Sequence, residues 1–342
     1  MSWLAALMLA LSATGYTDPP AERGHMGILQ AALARSGGSR LLVLGYHNVD
    51  GTWCFPSVPG AGRRGLERQL RALQRLARVV PLEQALRDMA NGRPLPPRAV
   101  AITFDDGYRD TLTIAAPMLQ RLGLPATTFL VPGILSGQVN PWWERLGWAF
   151  TTGCADSIEF EGQRLALHDP VSRRRGFRAV AEQLKHRDRH RRDEATDQLV
   201  EALSPTAACY PGTLFCDWDD ARALIRTGMA IGSHSMYHAI LSQEPGEAQH
   251  ADVLSSRKLL ETELDAPIEL FAYPNGSPAD YDATTIAAVG SAGYTHAVTT
   301  QDGWNRSSTP PYEIRRFVMY PERGVTGFAV LARALAHKAH RR

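Results

Sequence analysis

Short apolar runs rich in β-branched residues punctuate the chain: "RLLVLGY" (40–46), "AVAITF" (99–104), "ATTFLV" (126–131), "MAIGS" (229–233), "IELFAY" (268–273), "YTHAVT" (294–299) and "EIRRFVM" (313–319). Each reads as a strand buried on both faces, which implies a parallel sheet covered by helices. Helical patterns fill the intervals: Leu66 to Ala77, where Leu66, Leu70, Leu73 and Ala77 share one face, then Leu112 to Leu122, Asp219 to Thr227, Glu247 to Glu263 and Ala283 to Ala292. This βα alternation with about seven strands predicts an α/β fold, a distorted TIM-like (β/α) barrel in preference to an open doubly wound sheet. No G-x-G-x-x-G follows a strand, so dinucleotide binding has no support.

The rhythm breaks between about 140 and 215. This segment opens with "PWWERLGWAF" and turns highly charged in "SRRRGFRAVAEQLKHRDRHRRDEATDQLVEAL". It reads as a helical insertion between consecutive barrel units. Its arginines are interleaved with acids and accompanied by a single aromatic, Phe177, which describes a solvated helix face and not a nucleic-acid patch. Trp142, Trp143 and Trp148 suit either core packing or a sugar-stacking platform. The chain thus divides into a leader over 1–39, a main domain over 40–325 containing the insertion, and a C-terminal helix with a basic tail over 326–342.

Bulk composition adds limits. A chain of 342 residues, 44% hydrophobic and 21% charged, can bury a substantial core, and a formal net charge of +2 provides no global field toward nucleic acid or anionic lipid. After the leader no run approaches the ~20 apolar residues of a membrane span. The leader "MSWLAALMLALSATG" has an apolar core followed by small residues, but no Lys or Arg precedes Arg23, so the cytoplasm is favoured over secretion. Cys54, Cys154, Cys209 and Cys216 lack zinc-site or C-x-x-C spacing and read as buried free thiols.

The chemistry begins at "AVAITFDDGY", where Asp105 and Asp106 close a buried strand just before a glycine. Buried carboxylates need a compensating partner. One is available in "IGSHSMYHAI", where His234 and His238 lie four residues apart after another strand; on a helical turn both imidazoles would face one divalent ion. One Asp plus two His leaves coordination positions for water and substrate. Either acid could be the ligand, the other then facing the reacting centre. Ser235 stands where the helical zinc proteases carry their Glu, so a base must come from elsewhere, and the second Asp is the candidate.

Together, "TFDDGY", "SHSMYH" and "FAYPNG" resemble the polysaccharide deacetylases of carbohydrate esterase family four, the NodB homology domain, from about Leu41 to Met319. The resemblance implies a distorted (β/α) barrel of about seven strands. It makes Asp105 the general base and Asp106, His234 and His238 the ligands of a divalent metal, zinc being the expected ion. It also implies that Tyr273, before Pro274, offers its backbone N–H to the oxyanion. Two departures stand out: the arginine form of the third motif is absent, and "YEIRRFVMYPERG" lacks the Leu-x-x-His that usually supplies a general acid. "LGYHNVD" resembles a permuted branch that brings the acid from the first strand, making His47 the candidate. The implied activity is metal-dependent removal of N-acetyl from an amino sugar in a polysaccharide or glycoconjugate. Alternatives are an O-deacetylase, another C–N hydrolase on a small molecule, an inactive carbohydrate-binding homologue, and a glycosidase, the last disfavoured because adjacent acids sit too close.

Overall fold

A computed structural model describes residues 40–206 and 213–324; the leader, the C-terminal segment and Cys209 lie outside them. In chain order the elements are β1 (Leu41–Tyr46), α1 (Ala61–Leu76), β2 (Arg78–Val79), α2 (Leu82–Ala90), β3 (Ala99–Phe104), a π-helical turn (Thr111–Ala115) running into α3 (Ala116–Leu122), β4 (Thr127–Leu130), α4 (Pro132–Leu135) and α5 (Trp142–Thr152). There follow β5 (Ser157–Phe160), β6 (Gln163–Ala166), α6 (Pro170–Leu184), α7 (Arg189–Leu203), α8 (Trp218–Arg226), β7 (Ala230–Ser233), α9 (Gly246–Leu264), β8 (Leu270–Ala272), α10 (Ala283–Ser291), β9 (His296–Val298) and β10 (Phe317–Val318).

The main sheet runs β10-β1-β3-β4-β7-β8-β9, with the short β2 on β3, and every pairing is parallel. The segment before β10 curls it toward a barrel: the Ala297 N–H donates to the Pro311 carbonyl and Ile314 N–H to the Ala297 carbonyl on one side, while Met319 N–H reaches Gly45 on the other. All seven expected strands occur, and β1, β3 and β4 are buried along their whole length, as two-sided burial requires.

Alternation sorts the strand residues into two cores. Leu41, Val43, Ala99, Ala101, Phe129, Leu270, Ala272 and Val298 meet inside the curled sheet, where Leu82, Leu86 and Met89 of α2 plug one end. Leu42, Leu44, Val100, Ile102 and Phe104 face outward onto α1 through Leu66, Leu70 and Leu73. α2 went unread in the sequence. α8 and α10 start where Asp217 and Asp282 accept the N–H of the residue three positions on, each in a capping box. At Gly62 in α1 a Cβ would stand 1.6 Å from the Val49 carbonyl oxygen, so glycine lets the helix press against the loop that follows β1.

The 140–215 segment is not purely helical. α5, α6 and α7 pack with an antiparallel hairpin, β5–β6, whose turn uses positive φ at Glu161 and Gly162. They enclose a separate hydrophobic cluster in which Trp142 and Trp143 are 6% and 7% exposed, so these rings are core and not an open platform. Cys54, Cys154 and Cys216 are free; only Cys216 is buried, and Cys154 is exposed, against expectation. No helix among the described residues is long and apolar enough to cross a membrane.

Candidate active site

The site collects at the C-terminal ends of the parallel strands. Asp105 leaves β3 with its N–H still donating to the Tyr46 carbonyl at 2.9 Å. At Asp106 the chain turns left-handed, φ 70°, followed by Gly107 at 75°. This reversal, which Asp tolerates better than most residues, is why two adjacent carboxylates point to different partners.

Asp105 faces Arg316, which enters from just before β10. Nη1 donates to Oδ1 and Nη2 to Oδ2, both at 2.7 Å. Arg316 further donates through Nε to the Thr299 carbonyl and through Nη1 to Thr103 Oγ1, and its guanidinium lies over the Phe129 ring. Both partners are 1% exposed. Burial works against the Asp105 charge, but the surrounding positive groups, Arg316 foremost, together outweigh it and hold the carboxyl below the usual range. Arg316 went unread in the sequence; its signal was a charged residue inside the apolar run "EIRRFVM".

Asp106 faces the two histidines. His234 follows β7, and its Nδ1 lies 2.8 Å from the Ala272 carbonyl, a contact that places the proton on Nδ1 and leaves the Nε2 lone pair free. His234 Nε2 and His238 Nε2 lie 3.3 and 3.2 Å from the same atom, Asp106 Oδ1. No helical turn brings them together, contrary to expectation: the segment is irregular, with Ser235 at φ 65° and His238 at 52°. Asp252 of α9 pins this loop, its Oδ1 accepting the Met236 N–H at 2.6 Å.

One side-chain atom from each of Asp106, His234 and His238 lies within 4.8 Å of the others, all three residues are buried, and Asp106 Oδ1 meets no hydrogen-bond donor. A buried carboxylate oxygen facing two imidazole nitrogens without a donor is the arrangement a cation completes.

His47 stands directly after β1, whose Tyr46 pairs with Phe104 of β3, so it lies level with Asp105 at the same rim. Asp110 braces the loop beyond it: Oδ2 accepts the Val49 N–H at 2.7 Å and the Asp50 N–H at 2.8 Å. Tyr273 requires a correction. Its N–H donates to the Val298 carbonyl at 3.2 Å, and its hydroxyl donates to the Tyr312 carbonyl. Tyr273 still belongs to the β8–β9 ladder, so its amide is committed to the sheet. Pro274 has no N–H, and the next amide along the chain is that of Asn275, at φ 57° in the turn that ends the strand.

The 140–215 segment supplies one wall. The Tyr108 hydroxyl donates to Glu144 Oε1 at 2.8 Å and accepts from Trp143 Nε1 at 2.8 Å, while the Trp143 ring packs 4.3 Å from the His238 ring. Glu144 is fully buried, and burial raises its carboxyl above the usual range despite three donors.

The fold has counterparts among solved structures. The deacetylase PplD of Streptococcus pyogenes superposes with a TM-score of 0.56 at 15% identity, covering 86% of this chain and 98% of its own. The BpsB deacetylase domain of Bordetella bronchiseptica gives 0.53 at 17%, covering 83% and 97%. IcaB of Ammonifex degensii gives 0.51 at 19%, covering 86% and 97%. At such identities the likeness establishes the fold alone, which is the NodB-type barrel. A search of curated protein sequences finds no match. The sequence profile of the polysaccharide deacetylases, however, matches residues 92–168 and 171–297, more than half the chain and both the Asp-Asp and His-x-x-x-His segments. With that match, this chain belongs to the polysaccharide deacetylase family.

Proposed function

We propose that this chain is a metal-dependent hydrolase that removes an N-acetyl group from an amino sugar in a polysaccharide or glycoconjugate, releasing acetate. The observation that carries the reading is the division of the two adjacent acids: Asp106 joins two imidazoles, and Asp105 joins an arginine. Paired acids of a glycosidase would face each other across a scissile bond; here each has its own partners.

Asp106, His234 and His238 would hold the ion, and two imidazoles with one carboxylate suit zinc. When bound, such an ion supplies Lewis acidity toward the acetyl carbonyl and makes water a stronger acid. Asp105 takes the proton from the attacking water. Arg316 keeps that carboxylate ionised and aimed, since each clamped oxygen retains a second lone pair. The Asn275 N–H, in place of the engaged Tyr273 amide, faces the developing oxyanion. His47, from the rim of β1, protonates the departing amine.

The test is to incubate the purified chain, with and without zinc, with N-acetylglucosamine oligomers and with O-acetylated xylo-oligomers, following products by mass spectrometry. Loss of one acetyl group from the amino sugar, dependent on zinc, is the expected result. Reaction only with the O-acetyl substrate would assign the other bond.

A further inference from the structure

Three large hydrophobic side chains are exposed among the described residues, Phe55, Val58 and Val171, and two of them sit on the loop that follows His47. Phe55 is 42% exposed. It is nevertheless held firmly. Its N–H donates to Thr52 Oγ1 at 3.0 Å, and its carbonyl accepts the Thr52 N–H at 3.0 Å. Thr52 Oγ1 donates in turn to Glu144 Oε1 at 2.6 Å, and the Cys54 N–H donates to Glu144 Oε2 at 3.0 Å. Pro56 restricts the Phe55 backbone further. A fully buried carboxylate from the wall of the site thus anchors the turn that presents an open phenyl ring. Packing covers only part of this side chain and leaves 42% of it open to water.

The ring's position suggests its use. Its centroid lies 6.4 Å from that of His47, with the planes inclined by 39°. Among the aromatics beside the site, Trp142, Trp143 and Tyr108 are buried and closed to a ligand. The geometry points to Phe55 as a stacking platform for the apolar face of a pyranose ring, at a subsite next to the sugar that loses its acetyl group. The inference rests on the deacetylase reading above. A ring carried on a braced turn loses less conformational freedom on binding than one on a free loop, and its flat face matches the C–H face of a hexose.

The test compares wild type, Phe55→Ala and Phe55→Trp in the full zinc-loaded chain, on the N-acetylglucosamine tetramer and on 4-nitrophenyl acetate, which has no sugar. Phe55→Ala is expected to raise KM for the tetramer ~3–10-fold, the scale of an aromatic contact, with kcat nearly unchanged. Phe55→Trp restores KM. Ester hydrolysis and zinc content stay at wild-type levels in both variants, which excludes misfolding. An unchanged tetramer KM in Phe55→Ala, or an equal loss on the ester, overturns the platform while leaving the deacetylase reading intact. A wild-type protein that hydrolyses the ester but neither binds nor deacetylates the tetramer overturns the pyranose assignment. Zinc-loaded protein inert on both substrates overturns the hydrolase reading itself.

Discussion

Arg316 grips both carboxylate oxygens of Asp105 at 2.7 Å inside the curled sheet, joining the segment before β10 to the end of β3 across 211 residues of sequence. Asp105 is therefore a paired charge, and removing either partner leaves the other buried alone. Arg316→Met is expected to destabilise the protein by about 3–5 kcal/mol, the usual cost of breaking a buried pair. Arg316→Lys keeps the charge but loses the fork, and turnover should fall ~10–100-fold with less loss of stability. Urea unfolding and acetate release measure both. Wild-type stability in the Met variant would show that the pair contributes nothing.

The two adjacent acids should separate under mutation. Asp106→Ala is expected to lose bound metal, while Asp105→Asn keeps metal and loses turnover. Metal analysis of the purified variants is decisive; equal metal loss from both sinks the division of labour. Chelation of the wild type should abolish acetate release while the far-ultraviolet circular dichroism persists, because an open three-ligand site adds little to a barrel with two hydrophobic cores.

His47→Ala should lower turnover of an N-acetyl sugar by ~10²–10⁴-fold, the scale for a positioned proton donor. An activated acetate ester needs little protonation of its leaving group, so the same variant should lose much less on it. Metal content should not move. Equal losses on both substrates would make His47 a packing residue.

Asp110 supplies a pH prediction. Although the residue is partly exposed, its Oδ1 is shut off from water without a partner, and burial pushes its carboxyl up from 3.8 to about 7, the Val49 and Asp50 N–H donors only partly opposing. Between those values the folded protein keeps a proton that the unfolded chain releases. Its contribution to stability therefore falls as pH rises through that window. Asp110→Asn places the amide oxygen where both N–H groups donate and cannot ionise, so relative to wild type the variant should gain stability between about pH 5 and about pH 8. Urea midpoints at the two pH values check this; the same difference at both would contradict it.

The sheet was legible because burial on both faces leaves a local signature: runs such as "LLVLGY" and "AVAITF" are apolar at consecutive positions wherever they later pair. The residue types of the site were legible for the same reason, since two acids at a strand end and two histidines four apart are conspicuous without coordinates. Their relations were not. Spacing gave no choice between Asp105 and Asp106 as the partner of the imidazoles; the left-handed turn at Asp106 makes that choice. His234 and His238 converge through an irregular loop braced by Asp252, 14 residues beyond His238, where local periodicity suggested a helix. Arg316 looked like one more basic residue until the sheet curled and set it on Asp105. Tyr273 looked available because a chain alone does not reveal which amides a ladder will claim; β9 claims that one. Sequence determined which segments were apolar enough to become strands and which polar groups would need partners. Tertiary structure decided the partners, because hydrogen bonds and ion pairs depend on distances between residues that only the folded sheet brings together.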